Sequence, residues 1–179
     1  MKALVVIDAQ NEFSEEGQRA VPDHVVILGN ILKLVHDARQ REVPIAWVRH
    51  FNRPDETPAF VQGTWGAEFS ADCGPLPDTA HEHVFEKDVF GAFTGTGLAK
   101  WLEGLGIQHL QIAGFYSHMC VSTTAREALM RGYHVFLDIA TTGACSLKHP
   151  LLGEQSAEEV RRSALLQLSQ MGAVVGSST

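Results

Sequence analysis

The chain has 179 residues, 45% of them apolar, and sets 14 Lys and Arg against 21 Asp and Glu for a formal net charge of −7. That length and composition suit a single domain spanning residues 1–179 with a real core, and exclude disordered, collagen-like and low-complexity readings. An acidic balance without a basic run argues against nucleic acid or an anionic membrane as the main partner.

In chain order, an apolar run at 4–7 reads as a first strand. Val25, Leu28, Ile31, Leu32 and Val35 follow helical spacing after the start signal Pro22-Asp23. A second strand is predicted at 45–48 and an irregular stretch at 51–77. A third strand follows at 84–85, then a short helix on Leu98, Leu102 and Leu105 that Gly106 ends. Strand four is expected at 110–113, a helix at 122–130 closed by Gly132, and strand five at 135–137. A second irregular stretch covers 143–154. The last helix opens on Ser156 and Glu159, the spacing of a capping box, and stops at Gly172 before a strand at 173–175. The strand runs are mostly continuous rather than alternating, which marks strands buried on both faces. Their alternation with helices predicts a three-layer α/β (αβα) fold with a doubly wound parallel sheet.

Three cysteines, Cys73, Cys120 and Cys145, contain no C-x-x-C. They supply neither a disulfide framework nor a Cys-ligated zinc site, so a reducing cytoplasm is the expected compartment. The apolar start is too short for a signal peptide and Asp8 interrupts it, and no run approaches the roughly 20 residues of a membrane span.

Ligands of parallel α/β sheets sit beyond the carboxyl ends of the strands. Strand one ends in Asp8, strand three in Lys87, and strand four runs through Gly114 toward Cys120 at the start of a helix. An acid, an amine and a thiol therefore share one edge. The helix N-terminus and the ammonium would favour a Cys120 thiolate. Asp8 can take the thiol proton and return it to a leaving amine, Lys87 can hold both charges, and backbone N–H groups of the turn can receive an oxyanion. Singly, each residue has a plainer reading. Asp8 is equally a turn or cap residue, Lys87 a solvated charge, and an arbitrary cysteine a small buried hydrophobe, as Cys73 and Cys145 are taken to be.

The stretch DAQNEF at 8–13 resembles the D-x-Q-N-x-F opening of the isochorismatase-like cysteine hydrolases. FEKDVFGAF at 85–93 is similar to that family's lysine motif, and GFYSHMCV at 114–121 to its nucleophile motif. The resemblance covers essentially the whole chain. It implies a six-stranded sheet in the order 3-2-1-4-5-6 and an Asp8, Lys87, Cys120 triad. It also implies a cis peptide between Phe115 and Tyr116 that sets the N–H groups of Tyr116 and Cys120 side by side as the oxyanion hole. The implied activity is hydrolysis of a C–N bond in a small amide, ureide or carbamoyl compound through a thioester. The implied assembly is a homo-oligomer, dimer or tetramer.

Nicotinamidases of this kind also bind a divalent metal after strand two. Here His50 and Asp55 lack that spacing, so no catalytic metal and no cofactor is expected. His81 and His83 are read as surface residues before strand three. Thr94 to Gly97 superficially suggests a phosphate loop but lacks the following Lys-Ser/Thr.

Phe13, Trp65, Tyr116 and His118 are the expected substrate contacts, with Trp65 on a lid or an interface and His118 in a supporting role. Gln10 is read as structural. Arg49, Arg53 and Arg126 are open to a substrate carboxylate, Arg126 equally to solvent. Two other readings remain open at this point: a vinyl-ether hydrolase of the isochorismatase type, and a non-catalytic binding protein of the same fold.

Overall fold

The computed structural model describes residues 1–77 and 79–177. Six parallel strands form the main sheet: β1 (Lys2–Ile7), β2 (Ile45–His50), β3 (Glu82–Lys87), β4 (His109–Phe115), β5 (His134–Gly143) and β8 (Val174–Gly176). Their order is β3-β2-β1-β4-β5-β8, with every neighbouring pair parallel. Counting only the strands of this sheet, that is the 3-2-1-4-5-6 order the resemblance implies.

Because strand side chains alternate, each strand feeds two cores. Ala3, Val5 and Ile7 pack on one face with Leu98, Leu102, Val121, Ala125, Leu165 and Leu168. Those partners come from the three helices α2 (Leu98–Gly104), α3 (Cys120–Met130) and α4 (Ala157–Gln170). Leu4 and Val6 pack on the other face with Ile27, Ile31 and Val35 of α1 (His24–Gln40) and with Phe13 and Phe60. One helix and a long loop thus cover the second face.

Several details differ from the sequence expectation. Strand three runs six residues rather than two. It is an edge strand whose Glu82, Glu86 and Lys87 interrupt any apolar run. His83 accordingly lies within the strand, exposed, rather than before it. The irregular stretch at 143–154 contains a hairpin, β6 (Leu147–His149) against β7 (Gly153–Gln155), whose six residues are all exposed and so carry no buried pattern. Asp23 precedes α1 in the left-handed region with φ 58° and makes no side-chain cap bond. The capping box on α4 does form: Glu159 N–H donates to Ser156 Oγ, and Ser156 N–H to Glu159 Oε2 at 2.8 Å. Among the described residues no helix is long and apolar enough to cross a membrane.

The chain winds outward from β1 to β3, then returns to lay β4 on the other side of β1. That reversal opens the crevice between β1 and β4 in which ligands of such sheets bind. The strands approach closely there. A Cβ on Gly114, whose φ is 124°, would stand 1.9 Å from the Ile7 carbonyl oxygen. Only glycine allows that contact.

Candidate active site

Asp8, Lys87 and Cys120 meet at this crevice. Lys87 Nζ donates to Asp8 Oδ2 at 2.8 Å and to Cys120 Sγ at 3.3 Å. The lysine and aspartate side chains are 0% and 1% exposed. Each residue arrives from a different strand end: Asp8 just past β1 with φ 51°, Lys87 as the last residue of β3, and Cys120 as the first residue of α3 after β4. Asp8 Oδ1 is buried and accepts no hydrogen bond from the described residues. That leaves one carboxylate oxygen able to take a proton.

A fourth side chain joins them. His50, the last residue of β2, presents Nδ1 to Lys87 Nζ at 3.2 Å, and its Nε2 lies 2.8 Å from Asn52 Oδ1. Sequence reading tested His50 only as a metal ligand. The overlooked signal is register, since His50 and Lys87 are paired at the ends of adjacent parallel strands.

The charges follow from burial and partners. Burial opposes the Lys87 ammonium, but the Asp8 carboxylate and the Cys120 sulfur outweigh it and raise its pKa. Burial, then the adjacent Asp8 carboxylate, push the Cys120 thiol above its ordinary value, with Lys87 pulling the other way. Burial and the Asp8 carboxylate thus work against the thiolate that the helix terminus and Lys87 favour. The sequence shows the helix but not how deeply the sulfur is buried. Burial, then the charge of Lys87, lower the pKa of His50 and keep it neutral.

The turn into α3 is defined by its backbone. The Phe115–Tyr116 peptide is cis, as the resemblance implies. Met119 N–H and Val121 N–H both donate to Tyr116 O, and Ser117 N–H donates to Gly143 O. None of these bonds uses the N–H of Tyr116 or of Cys120.

A cavity of about 490 Å³ opens onto the thiol. Phe13, Phe60, Tyr116 and Met119 form its apolar wall, and Arg19, Asn52, Arg53, Glu56, Thr57 and Asp88 its polar one. Phe13 is wedged against Phe60, Phe115 and Tyr116, with ring centroids 4.8–5.2 Å apart. Tyr116 OH donates to Arg19 O at 2.7 Å. Trp65 and His118 do not line this cavity. Trp65 is half-exposed on a short 3-10 turn, and His118 stacks on the Tyr116 ring from outside the cavity lining. The loop at 51–77 contributes Glu56, Thr57 and Phe60 instead. It is pinned by Gln10, whose Nε2 donates to the carbonyls of His50 and Ala67, and by Glu12, which accepts from Phe60 N–H.

Of the arginines weighed as anion contacts, Arg53 lines the cavity but pairs with Asp88 at 2.9 Å. Arg49 pairs with Glu86, and Arg126 reaches Ser122 and Gln167 away from the crevice. A larger groove of about 720 Å³ runs between β3 and α2 past His83 and Trp101 and holds none of the triad.

The segment after Lys87 is held by α3. Ala92 N–H donates to Thr124 Oγ1, and Phe93 N–H and the Thr94 hydroxyl donate to the Glu127 carboxylate. Gly91 sits so close that a Cβ there would stand 2.4 Å from that carboxylate. The G-A-F part of the lysine motif therefore fastens the end of β3 to the helix that carries Cys120.

The same residues do not fit a resident metal. Both ring nitrogens of His50 already have partners, Asp55 is exposed, and no group of three His, Cys, Asp or Glu among the described residues could hold an ion.

The isochorismatase domain model matches residues 2–179. Nicotinamidase 3 of Arabidopsis thaliana is 31% identical over 150 residues, covering 78% of this chain and 72% of the relative. Among solved structures, an isochorismatase from Pseudomonas putida superposes with a TM-score of 0.89 at 29% identity, covering 98% of this chain and 87% of its own. The N-carbamoylsarcosine amidase of Thermoplasma acidophilum gives 0.81 at 26% identity, covering 99% and 96%. The chain belongs to the isochorismatase family of hydrolases.

Proposed function

We propose that this protein hydrolyses a C–N bond of a small amide, ureide or carbamoyl compound through a thioester on Cys120. The observation that carries the reading is the buried contact of Lys87 with both Asp8 and Cys120, beside a cavity sized for a small molecule. The amide-cleaving relatives, a nicotinamidase and an N-carbamoylsarcosine amidase, support the reaction class.

The substrate carbonyl carbon lies against Cys120 Sγ. As sulfur attacks, its proton passes to Asp8, whose Oδ1 is otherwise unpartnered, and the carbonyl oxygen becomes an oxyanion. The N–H groups of Tyr116 and Cys120 are the donors assigned to it. The tetrahedral intermediate expels the amine, which leaves with the proton from Asp8. Water then attacks the thioester with Asp8 as base, releasing the acid and restoring the thiol. Lys87 holds the Asp8 carboxylate in place through its 2.8 Å contact and stabilises sulfur as it loses its proton. Burial and the Asp8 charge disfavour the thiolate, so passing the proton to Asp8 during attack assists the step.

The test is a panel of small amides, ureides and vinyl ethers assayed with wild type and Cys120→Ala, with mass spectrometry of the quenched enzyme for an acyl adduct. Turnover of an amide or ureide that Cys120→Ala abolishes, with an adduct on Cys120, supports the reading. Turnover of a vinyl ether that survives Cys120→Ala overturns it, and no turnover of any compound moves the binding-protein reading ahead.

A further inference from the structure

We propose that His50 is a positioning residue that holds the Lys87 ammonium in register with the reacting pair, its ring locked by Asn52 and Thr57. The inference rests on the reading of Cys120 as the nucleophile.

A lysine ammonium carries three N–H donors. Lys87 is buried, so each donor needs an acceptor, and three surround it: Asp8 Oδ2 at 2.8 Å, Cys120 Sγ at 3.3 Å and His50 Nδ1 at 3.2 Å. The first two change during the reaction. Asp8 becomes neutral when it takes the proton, and sulfur becomes a thioester with little capacity to accept. His50 alone takes no part in the bond changes and presents the same acceptor through every step. Without it the ammonium is free to follow whichever reacting group carries the charge.

The tautomer is fixed by the surroundings. Facing an ammonium, Nδ1 must present a lone pair, so the ring proton sits on Nε2 and donates to Asn52 Oδ1 at 2.8 Å. Asn52 has no choice of orientation, because its Nδ2 donates to Thr57 O at 3.1 Å and to Thr57 Oγ1 at 3.0 Å. The His50 backbone is clamped as well. Its N–H donates to Gln10 Oε1 at 2.8 Å and its carbonyl accepts from Gln10 Nε2 at 2.9 Å. The Phe60 ring meets the imidazole edge-on at 5.4 Å. The hydrogen bonds thus run unbroken from Thr57 through Asn52 and His50 to Lys87. The lowered pKa of His50 agrees, since an imidazolium would turn an N–H toward the ammonium.

The probe is iodoacetamide, applied to wild type, His50→Leu, His50→Asn and Asn52→Leu across pH 6 to 10, with each cysteine quantified by peptide mass spectrometry. Asn places a side-chain oxygen near the position of Nδ1, so it keeps the acceptor that Leu removes. The groups facing the cluster are Asp8, Arg19, Arg53, Glu56, Lys87, Asp88 and Tyr116, and all stay unchanged in these variants.

His50→Leu is expected to shift the rising limb of Cys120 alkylation up by about one pH unit, a tenfold slower reaction at each pH. Asn52→Leu moves it part of the way, and His50→Asn restores the wild-type profile. Cys73, distant in the fold, reports intact packing by staying unchanged. If His50→Leu fails to fold, the contrast between Asn52→Leu and wild type carries the same test. Identical profiles for the Leu variants and wild type, or equal losses in His50→Leu and His50→Asn, overturn the inference. A wild-type enzyme that turns over an amide without forming an acyl adduct on Cys120 instead overturns the nucleophile reading beneath it.

Discussion

Strand β3 buries a charge at each end, and the two ends are built for different purposes. At its first residue, Glu82 accepts from Arg39 Nε at 2.8 Å, Arg39 Nη2 at 3.0 Å and Trp47 Nε1 at 2.7 Å. At its last residue, Lys87 pairs with Asp8 at the same 2.8 Å. The Glu82 network is closed, with each carboxylate oxygen taken by a donor that cannot lose its proton near neutral pH. The Lys87 network includes a thiol that can give up a proton and a carboxylate oxygen with no partner. Buried charge by itself thus does not mark a site. The mark is a network that stays charged yet keeps one proton-transfer route open, here at the carboxyl edge of the sheet where the strand order reverses.

The comparison breaks most sharply at Cys120. Cys120→Ala is expected to lower kcat on a turned-over amide by more than about a thousandfold, the scale of removing a nucleophile. Cys73→Ala should leave kcat near wild type. Burial, then the neighbouring Asp72, push Cys73 up to about 12, and it lies outside the cavity. Asp8→Asn keeps the size of the group beside Lys87 but removes the proton acceptor. A fall in kcat of about 10²- to 10⁴-fold is expected, with far-UV circular dichroism unchanged. Steady-state kinetics with the panel substrate checks both, and an Asp8→Asn enzyme within a few-fold of wild type would remove Asp8 as the base.

The opposite end of β3 should respond in stability and not in chemistry. Glu82→Ala leaves the Trp47 indole without its acceptor and Arg39 with only the Gly74 carbonyl, and breaking such a buried pair costs about 3 kcal/mol. Urea unfolding measures that loss, while kcat per folded molecule stays unchanged. Burial opposes the Glu82 charge, but its bonds to Arg39 and Trp47 outweigh it and hold the folded pKa below the ordinary value of 4.5. The stabilisation is therefore complete above that value and disappears as pH falls through the lower folded one. In Glu82→Gln this acid-sensitive component should vanish. A loss of kcat in either variant would mean the two ends of the strand are coupled.

How much of this was legible follows from the same contrast. Asp8 and Cys120 could be placed because each ends or follows an apolar run, and strand ends in a parallel sheet converge. Lys87 was placed the same way, as the end of strand three, although that edge strand shows only Val84 and Phe85 as an apolar pair among charged residues, and the motif added to it. His50 escaped because its chemistry depends on pairing between strands, which one strand's pattern does not display. Trp65 looked like a pocket residue from its position in a long loop. The loop is instead pinned through Glu12 and Gln10, which brings Phe60 and Thr57 to the cavity. The expectation for Cys120 weighed the helix terminus and the ammonium, both local features, and not burial, a property of the whole packing that pushes the thiol the other way.

The smallest expected effect concerns His50 and the stability of the folded state near neutral pH. Its folded pKa lies below the ordinary 6.5, chiefly through burial and then the charge of Lys87. As pH drops through about 6.5 the unfolded chain takes up a proton that the folded chain still refuses, so stability is full above that value and declines below it. Burial shifts His24 and His118 in the same direction, and they contribute to the same decline. His50→Asn removes one share and keeps the acceptor toward Lys87, so its urea midpoint should fall less steeply than wild type between about pH 7 and pH 5. Parallel slopes would mean that His50 titrates alike in both states. Lys87 would then not face a permanently neutral ring, and the two ends of β3 would differ less than their hydrogen bonds indicate.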